Sequence, residues 1–485
     1  MRNGVRLLLA ASAAPLMAQA APRLPAGTNW FTIAAETGDR VGYSSREIVD
    51  TPEGRTVIDA SQVRVQDVGD PSQRITERTV TRLDPSGQLV SIRDDTQTGL
   101  IHASTEVSVS GGVVEVTRVV GGDTRTVRVP VPAGTRFDGG EGLLPGWDMR
   151  ATPRLEFNNF NLAAMALERV VIVPANGGAA DAQGRVAALR TRYDGADLRA
   201  VARLEIDRRG QIVTISQPMF GTHITTRLTD RETALRPHRP YRAMQNSMMR
   251  APYRVPDESV FGHIRYRFSF RDGVEFPLPQ TGEQRVRAEG HQLVVDICRA
   301  CGPGLPTDPA SLAAATRPTA WLQSDHPRIR AIAMPVARMQ VSETRKMEML
   351  LRRAMPLIPR VEYGGHFSAL EALNRRAGDC TEAATLLAAL GRAAGIPTKV
   401  VSGLAYSRLP ILGATNSFMP HSWIVAYVDG QWKSFDLALE RFDSSHIAVT
   451  VGDGDARSIM AASQLASMLN WEAMAEVRPR PRPAA

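Results

Sequence analysis

Residues 378–436 read GDCTEAATLLAALGRAAGIPTKVVSGLAYSRLPILGATNSFMPHSWIVAYVDGQWKSFD. Asp379 has the place of an N-cap, and Glu382, three residues later, completes a capping-box pattern. Ala383, Leu386, Leu387, Leu390 and Ala394 recur at helical spacing, and Gly395 with Pro397 ends the run. The spacing predicts a helix whose first turn carries Cys380. Unpaired backbone N–H groups and the positive end of the helix dipole favour a thiolate there. The same N–H groups suit an oxyanion from a carbonyl under attack. The alternative is a buried structural cysteine, which behaves as a small hydrophobe.

His421 opens a run, HSWIVAYV, with strand character, and Asp429-Gly430 is a two-residue hairpin turn. Gln431 to Asp436 returns as the partner strand. A two-residue loop pairs Val428 with Gln431 and sets Trp423 opposite Asp436. His421 and Asp436 are then diagonal neighbours on one face, with Cα atoms roughly 7–8 Å apart. A one-residue slip puts Asp436 on the other face. Taken singly, His421 is a strand-end histidine and Asp436 a turn former; the joint spacing with Cys380 points to chemistry. A thiol at its free pKa is only partly ionised at neutral pH. An imidazole takes its proton and later returns it to the leaving group, and a carboxylate fixes the tautomer and stabilises the imidazolium.

The motifs GDC, RAAGIPTKVVSGL and HSW…W…FD are similar to those of the transglutaminase-like superfamily, over roughly Trp321 to Asp453. The resemblance implies a papain-like α+β fold with a cysteine helix packed on an antiparallel sheet. It implies Cys380 as nucleophile, His421 as base and Asp436 as orienter. Many relatives carry Pro directly after the aspartate, where this chain has Leu437. The family covers crosslinking, deamidation, peptide hydrolysis and amide cleavage, and some members have lost the triad; all three residues are present here.

Residues 1–20 read as a secretory signal: Arg2 and Arg6 form a basic start, Leu7 to Met17 an apolar stretch, and Ala18-Gln-Ala20 a cleavage site. The apolar stretch is too short for a permanent span, and no later run is long enough. No cysteine lies near the cut, which argues against a lipid anchor. The remaining chain exceeds one core and implies two or three domains. The formal charge is +8, with arginine dominating and lysine only at 346, 399 and 433. Basic and acidic residues are interspersed, so no nucleic-acid footprint stands out. Of three cysteines, Cys298 and Cys301 form a C-x-x-C, read first as a local disulfide in an oxidising compartment. A redox motif or half a zinc site is weaker, for want of a thioredoxin-like context or a second pair. The odd thiol is Cys380.

From Asn29 to about Arg250 the chain reads β, with runs cut by Glu53-Gly54, Asp84-Pro-Ser-Gly87, Gly111-Gly112, Gly121-Gly-Asp123 and Arg209-Gly210. A large antiparallel sheet or half-barrel follows, with a structural or partner-binding role. Ile264, Tyr266, Phe268 and Phe270 alternate with polar residues as a half-buried strand, and Gln284 to Ile297 adds more strand. From Pro306 the pattern turns helical, at Pro309–Ala315, Arg328–Met339, Ser342–Ala354 and Ser368–Arg376. Val401 to Pro420 reads as a surface loop, with a lid over the site as the alternative. Asp443 and Gly452-Asp-Gly-Asp455 read as turns without EF-hand spacing, and His446 as structural. The Arg/Pro tail reads as disordered.

The expected fold class is α+β: an N-terminal antiparallel β-rich region, then a papain-like or transglutaminase-like α+β domain. The expected division is 1–20 signal, 21–250 β-rich domain, 251–305 small β module with Cys298 and Cys301, 306–475 catalytic domain and 476–485 tail. The expected protein is a periplasmic or secreted cysteine hydrolase or acyltransferase, with hydrolysis favoured over crosslinking. Its partners would be a protein, peptide or peptidoglycan-derived substrate, with no nucleic acid, integral membrane segment, metal or cofactor. A non-catalytic peptide- or cell-wall-binding protein retaining the fold is the rival class. The oligomeric state and the side chain of an oxyanion hole are not written in the sequence.

Overall fold

The computed structural model describes residues 23–478, apart from 67–72, 99–100, 121–122, 220–221, 362–365 and 409–413. The expected signal sequence, the Gly121-Gly122 turn, Pro410, Gly413 and residues 479–485 of the tail lie outside them.

Fourteen strands between Gly27 and Thr229 form one antiparallel sheet. The first eight pair in sequence order as a meander, and so do the last six; the strand Gly27–Ala35 joins the two by pairing with Thr222–Thr229. The strands are rich in β-branched residues, which suit a pleated surface. Turn chemistry fixes their ends. Gly111 and Gly112 both take positive φ, at 57° and 75°, the geometry of a hairpin turn whose twist matches its strands. Along Val113–Val120, Val114 and Val116 are buried with Ile92, Val107, Phe160 and Met165.

The sheet stops at Thr229, short of the expected Arg250. Asp230 caps a short helix, Arg231–Leu235, and Pro237 and Pro240 follow. A second short helix spans Ala243–Ser247. Met249 and Arg250 pair instead with Phe418 and Ser417 of a C-terminal sheet. Proline removes the ladder donors that a continuing strand needs.

The C-terminal region holds that sheet of five strands, a four-stranded sheet and the expected helices. The helices are Pro309–Ala314, Pro327–Ala337, Glu343–Ala354, Ala369–Arg375 and Cys380–Ala393. In the five-stranded sheet, Thr398–Ser407 lies between Ser417–Val428 and His446–Gly452, and Gln431–Phe435 pairs with Ser417–Val428. Most of Val401–Pro420 is therefore strand rather than loop: Val401 pairs with Trp423 and Leu404 with Pro420. Apolar residues buried on both faces look like loop-breaking variety in sequence but serve a central strand. In the four-stranded sheet Ile264–Phe270 lies between Gln292–Ile297 and Leu469–Glu476, a strand near the C-terminal end of the described chain.

The N-terminal sheet and the C-terminal region share packing. Leu198 and Val201 join a core with Phe268, Phe418 and Leu465. Trp321 enters the cluster around Val114 and Phe160, with Arg118 and Arg125 over its ring at 5.6 and 5.3 Å. Arg457 binds Asp194 at 2.8 Å and the Leu167 carbonyl at 2.8 Å. Among the described residues no helix is long and apolar enough to cross a membrane.

Candidate active site

The helix Cys380–Ala393 begins as its sequence requires. The Asp379 side chain accepts from the Thr381 N–H, and Glu382 reaches back to the Asp379 N–H at 3.0 Å. Glu382 also accepts from the Phe367 N–H at 3.0 Å, so one buried carboxyl joins the helix start to the preceding segment. Leu386, Leu387 and Leu390 press the helix onto Val400, Ile424 and Ala426 of the sheet. Cys380 is the free cysteine of the described chain and is partly exposed.

The hairpin takes the predicted register. Val428 pairs with Gln431 and Ile424 with Phe435, which puts Trp423 level with Asp436 one step beyond the ladder. Asp429 and Gly430 take φ of 50° and 81°. His421 Nε2 lies 2.7 Å from Asp436 Oδ2, with both side chains buried. Asp436 Oδ1 accepts from the backbone N–H groups of Ala438 at 2.8 Å and Leu439 at 3.1 Å. Donation from Nε2 leaves Nδ1 as the basic nitrogen of His421, and Nδ1 is buried without a hydrogen-bond partner.

The sequence hid four contributors. His446 Nε2 lies 3.0 Å from the same Asp436 Oδ2, and its Nδ1 is 3.2 Å from Asp443 Oδ1. Nothing in the spacing of His446 ties it to Asp436. Gly403, paired with His421, lies where a Cβ would come within 2.0 Å of the Ile447 carbonyl oxygen, so its lack of a side chain admits the His446 strand. Glu283 accepts from the N–H and hydroxyl of Ser434 at 2.7 and 2.8 Å, bracing the strand that delivers Asp436. Gln284 does the same for the His446 strand through the N–H and carbonyl of Ala448, at 2.8 and 3.0 Å. Both braces precede the disulfide of Cys298 and Cys301, whose Cα atoms are 5.2 Å apart.

Electrostatics divide the site. Burial alone would raise the Asp436 pKa, but the His421 and His446 imidazoles hold it well below the usual carboxylate range. Burial works against a charged His446, yet Asp436 and Asp443 raise it to about 9. Burial and then Asp379 push the Cys380 thiol well up, with Asp436 and Glu382 adding to the rise and the Ser422 backbone N–H opposing it. This departs from the expectation of a thiolate at the helix start. Desolvation and three carboxyl groups outweigh the helix terminus, so the thiol keeps its proton until a base accepts it. The opposing N–H belongs to the residue after His421, which sets the sulfur beside the histidine strand.

One donor atom each from His421, Asp436 and His446 lie within 4.8 Å of one another. As a metal centre the set fits poorly. The facing nitrogens of both rings are turned on one carboxylate oxygen, and the other oxygen takes two backbone N–H groups. Protons already satisfy the donors that a cation would need. Asp453, from the glycine-aspartate run, instead accepts from Arg392 at 2.6 Å and Lys399 at 2.9 Å, and Asp455 caps the helix Ala456–Ser467.

Residues 336–437, which contain the cysteine helix, His421 and Asp436, match the family model of the transglutaminase-like superfamily. This region is a transglutaminase-like domain. Around the transglutaminase-like domain the solved structures offer distant likenesses. A β-barrel-like protein of a domain of unknown function from Brucella abortus is 14% identical, over 43% of this chain and 96% of its own, with a TM-score of 0.34. A candidate cysteine protease from Cytophaga hutchinsonii is 17% identical, over 46% and 91%, with a TM-score of 0.28. A candidate protease from Parabacteroides distasonis is 11% identical, over 66% and 70%, with a TM-score of 0.19. Likenesses this distant assign nothing to this chain. Among curated proteins none matches.

Proposed function

We propose that the chain is an exported cysteine enzyme that cleaves a carboxamide or peptide bond through a thioester. Cys380 is the nucleophile, His421 its base and Asp436 the orienter of the base. The observation that carries this is the pairing of His421 Nε2 with Asp436, which leaves Nδ1 buried and unpartnered, while the N–H of the next residue, Ser422, meets the Cys380 thiol. The transglutaminase-like match over residues 336–437 supports the class of chemistry.

The Cys380 proton passes to His421 Nδ1 as sulfur attacks the carbonyl carbon. The oxyanion meets the backbone N–H of Cys380, since Asp379 already takes those of Thr381 and Glu382. The C–N bond breaks, the amine leaves with the proton from His421, and a thioester remains. Water, deprotonated by His421, then breaks the C–S bond to give the acid and the free thiol. Hydrolysis is favoured over amine transfer because water needs no second binding site. The disulfide and the sequence of residues 1–20 support an oxidising, exported location, and peptides or peptidoglycan-derived amides are the substrate class.

The test is a screen of peptides and peptidoglycan fragments in ¹⁸O water, with Cys380→Ala as control. Mass spectrometry should show ¹⁸O in the new carboxyl group and no reaction with the variant. Equal product from Cys380→Ala overturns the assignment. Binding without any turnover points to the non-catalytic class.

A further inference from the structure

We propose that His446, held between Asp436 and Asp443, is a positioning residue of the cysteine site: it fixes the Asp436 carboxylate on His421 and screens its charge from Cys380. This rests on the Cys380–His421–Asp436 reading above and extends the chain of contacts by two residues.

The geometry is that of a saturated carboxylate. Asp436 meets four N–H groups: His421 at 2.7 Å and His446 at 3.0 Å on Oδ2, Ala438 and Leu439 on Oδ1. Without His446, Oδ2 keeps a single partner, and the buried anion loses a charge-assisted bond. The His446 ring is itself confined. Trp423 stands edge-on at 5.2 Å and Phe442 packs at 4.8 Å, so the ring cannot turn away from the carboxylates. Each ring nitrogen faces a carboxylate oxygen, at 3.0 Å for Nε2 and 3.2 Å for Nδ1, closer than the 3.4 Å at which the Asp443 backbone N–H points at Nδ1; an imidazole that donates from both nitrogens to the two carboxylates is a cation.

The groups around His446 are Asp436, Asp443, His421 and, on the strand Ile264–Phe270, Tyr266. The Tyr266 hydroxyl donates to the Ser444 carbonyl, and burial holds its pKa far above the usual phenol range, so it stays neutral. The cationic form persists to about pH 9. The charged groups that raise the Cys380 thiol are Asp379, Asp436 and Glu382. A cation bound to Asp436 offsets one of them before His421 receives the proton. Replacing His446 with a neutral residue leaves Asp436 to oppose the thiolate with less compensation.

Two measurements on the full chain test this. Long-range ¹H–¹⁵N NMR at pH 7 should show His446 protonated on both nitrogens, a signal absent from His446→Gln, and titrating near pH 9. In Asp443→Asn, which removes the outer anion, that titration should fall by about a unit or more. Iodoacetamide labelling of Cys380 should be about tenfold slower at pH 7 in folded His446→Gln than in wild type. A neutral His446 at pH 7, a titration unmoved in Asp443→Asn, or wild-type labelling in folded His446→Gln overturns the proposal. His421→Ala separates the two readings. If it labels and ionises as wild type does, the triad reading fails. If it is slowed while His446→Gln is not, only the role of His446 fails.

Discussion

The fourteen-stranded sheet and the transglutaminase-like domain use the same charged residues in opposite ways. On the sheet, arginines and acids pair across neighbouring strands in the solvent, as Arg128 with Glu115, whose side chains are 75% and 40% exposed. In the domain and on the strand that follows it, Arg392, Asp436 and His446 are buried and each meets several partners. Exposed pairs trade hydration for little. A buried charge stripped of its partners has no water to fall back on. Exposed pairs of this kind therefore tolerate charge changes, unlike the buried Glu168, Arg190 and Arg199 of the same sheet, and the domain is built around a few buried charges.

The largest expected effect is at the most buried carboxylate. Asp436→Asn should keep the fold and lose on the order of 10⁴ in turnover, because the amide presents a donor where His421 needs an acceptor. Circular dichroism with single-turnover kinetics checks both halves, and wild-type turnover would erase the contrast at its centre. Next comes Arg392, which donates to the Thr398 carbonyl at 3.0 and 2.8 Å, the Arg317 carbonyl at 2.7 Å and Asp453 at 2.6 Å. Arg392→Met should cost about 4 kcal/mol in urea unfolding, as expected for a broken buried pair; a loss as small as that of a surface pair would deny the distinction.

The pH dependence of stability follows from His446. Its folded pKa of about 9 lies above the unfolded value of about 6.5. Its contribution is therefore fully present below about pH 6.5 and is lost as pH rises through 9, amounting to about 3 kcal/mol. Urea unfolding at a series of pH values from 6 to 10 should show this fall, and His446→Gln should lack it. The disulfide should matter less. Cys298 and Cys301 close a loop of only a few residues, so replacing both with serine should cost well under the ~3 kcal/mol of a 15-residue loop and leave Cys380 labelling unchanged. Intact mass without reductant should show one disulfide and one free thiol. The smallest effect belongs to the sheet: Arg128→Ala should leave the melting temperature where it was, and a clear drop would mean that exposed pairs bear weight there.

Local chemistry decided what the sequence announced. The capping box at Asp379 and Glu382, the Asp429-Gly430 turn and the alternation of Ile264–Phe270 act over a few residues, and each produced its element at the expected place. The hairpin turn fixed the register, and with it the meeting of His421 and Asp436 across fifteen residues. What the tertiary structure alone decided lies at long range. Strand Leu469–Glu476 joins Ile264–Phe270, the first strand of the large sheet closes on its last, and Glu283 and Gln284 reach strands more than 150 residues away. His446 is the sharpest case. It sits ten residues from Asp436, but its own segment carries only a strand's pattern, and no periodicity or turn rule points one ring at another strand's carboxylate. That contact exists because Gly403 lets the His446 strand approach and because Asp436 and Asp443, brought together by the fold, present a carboxylate oxygen to each of its ring nitrogens.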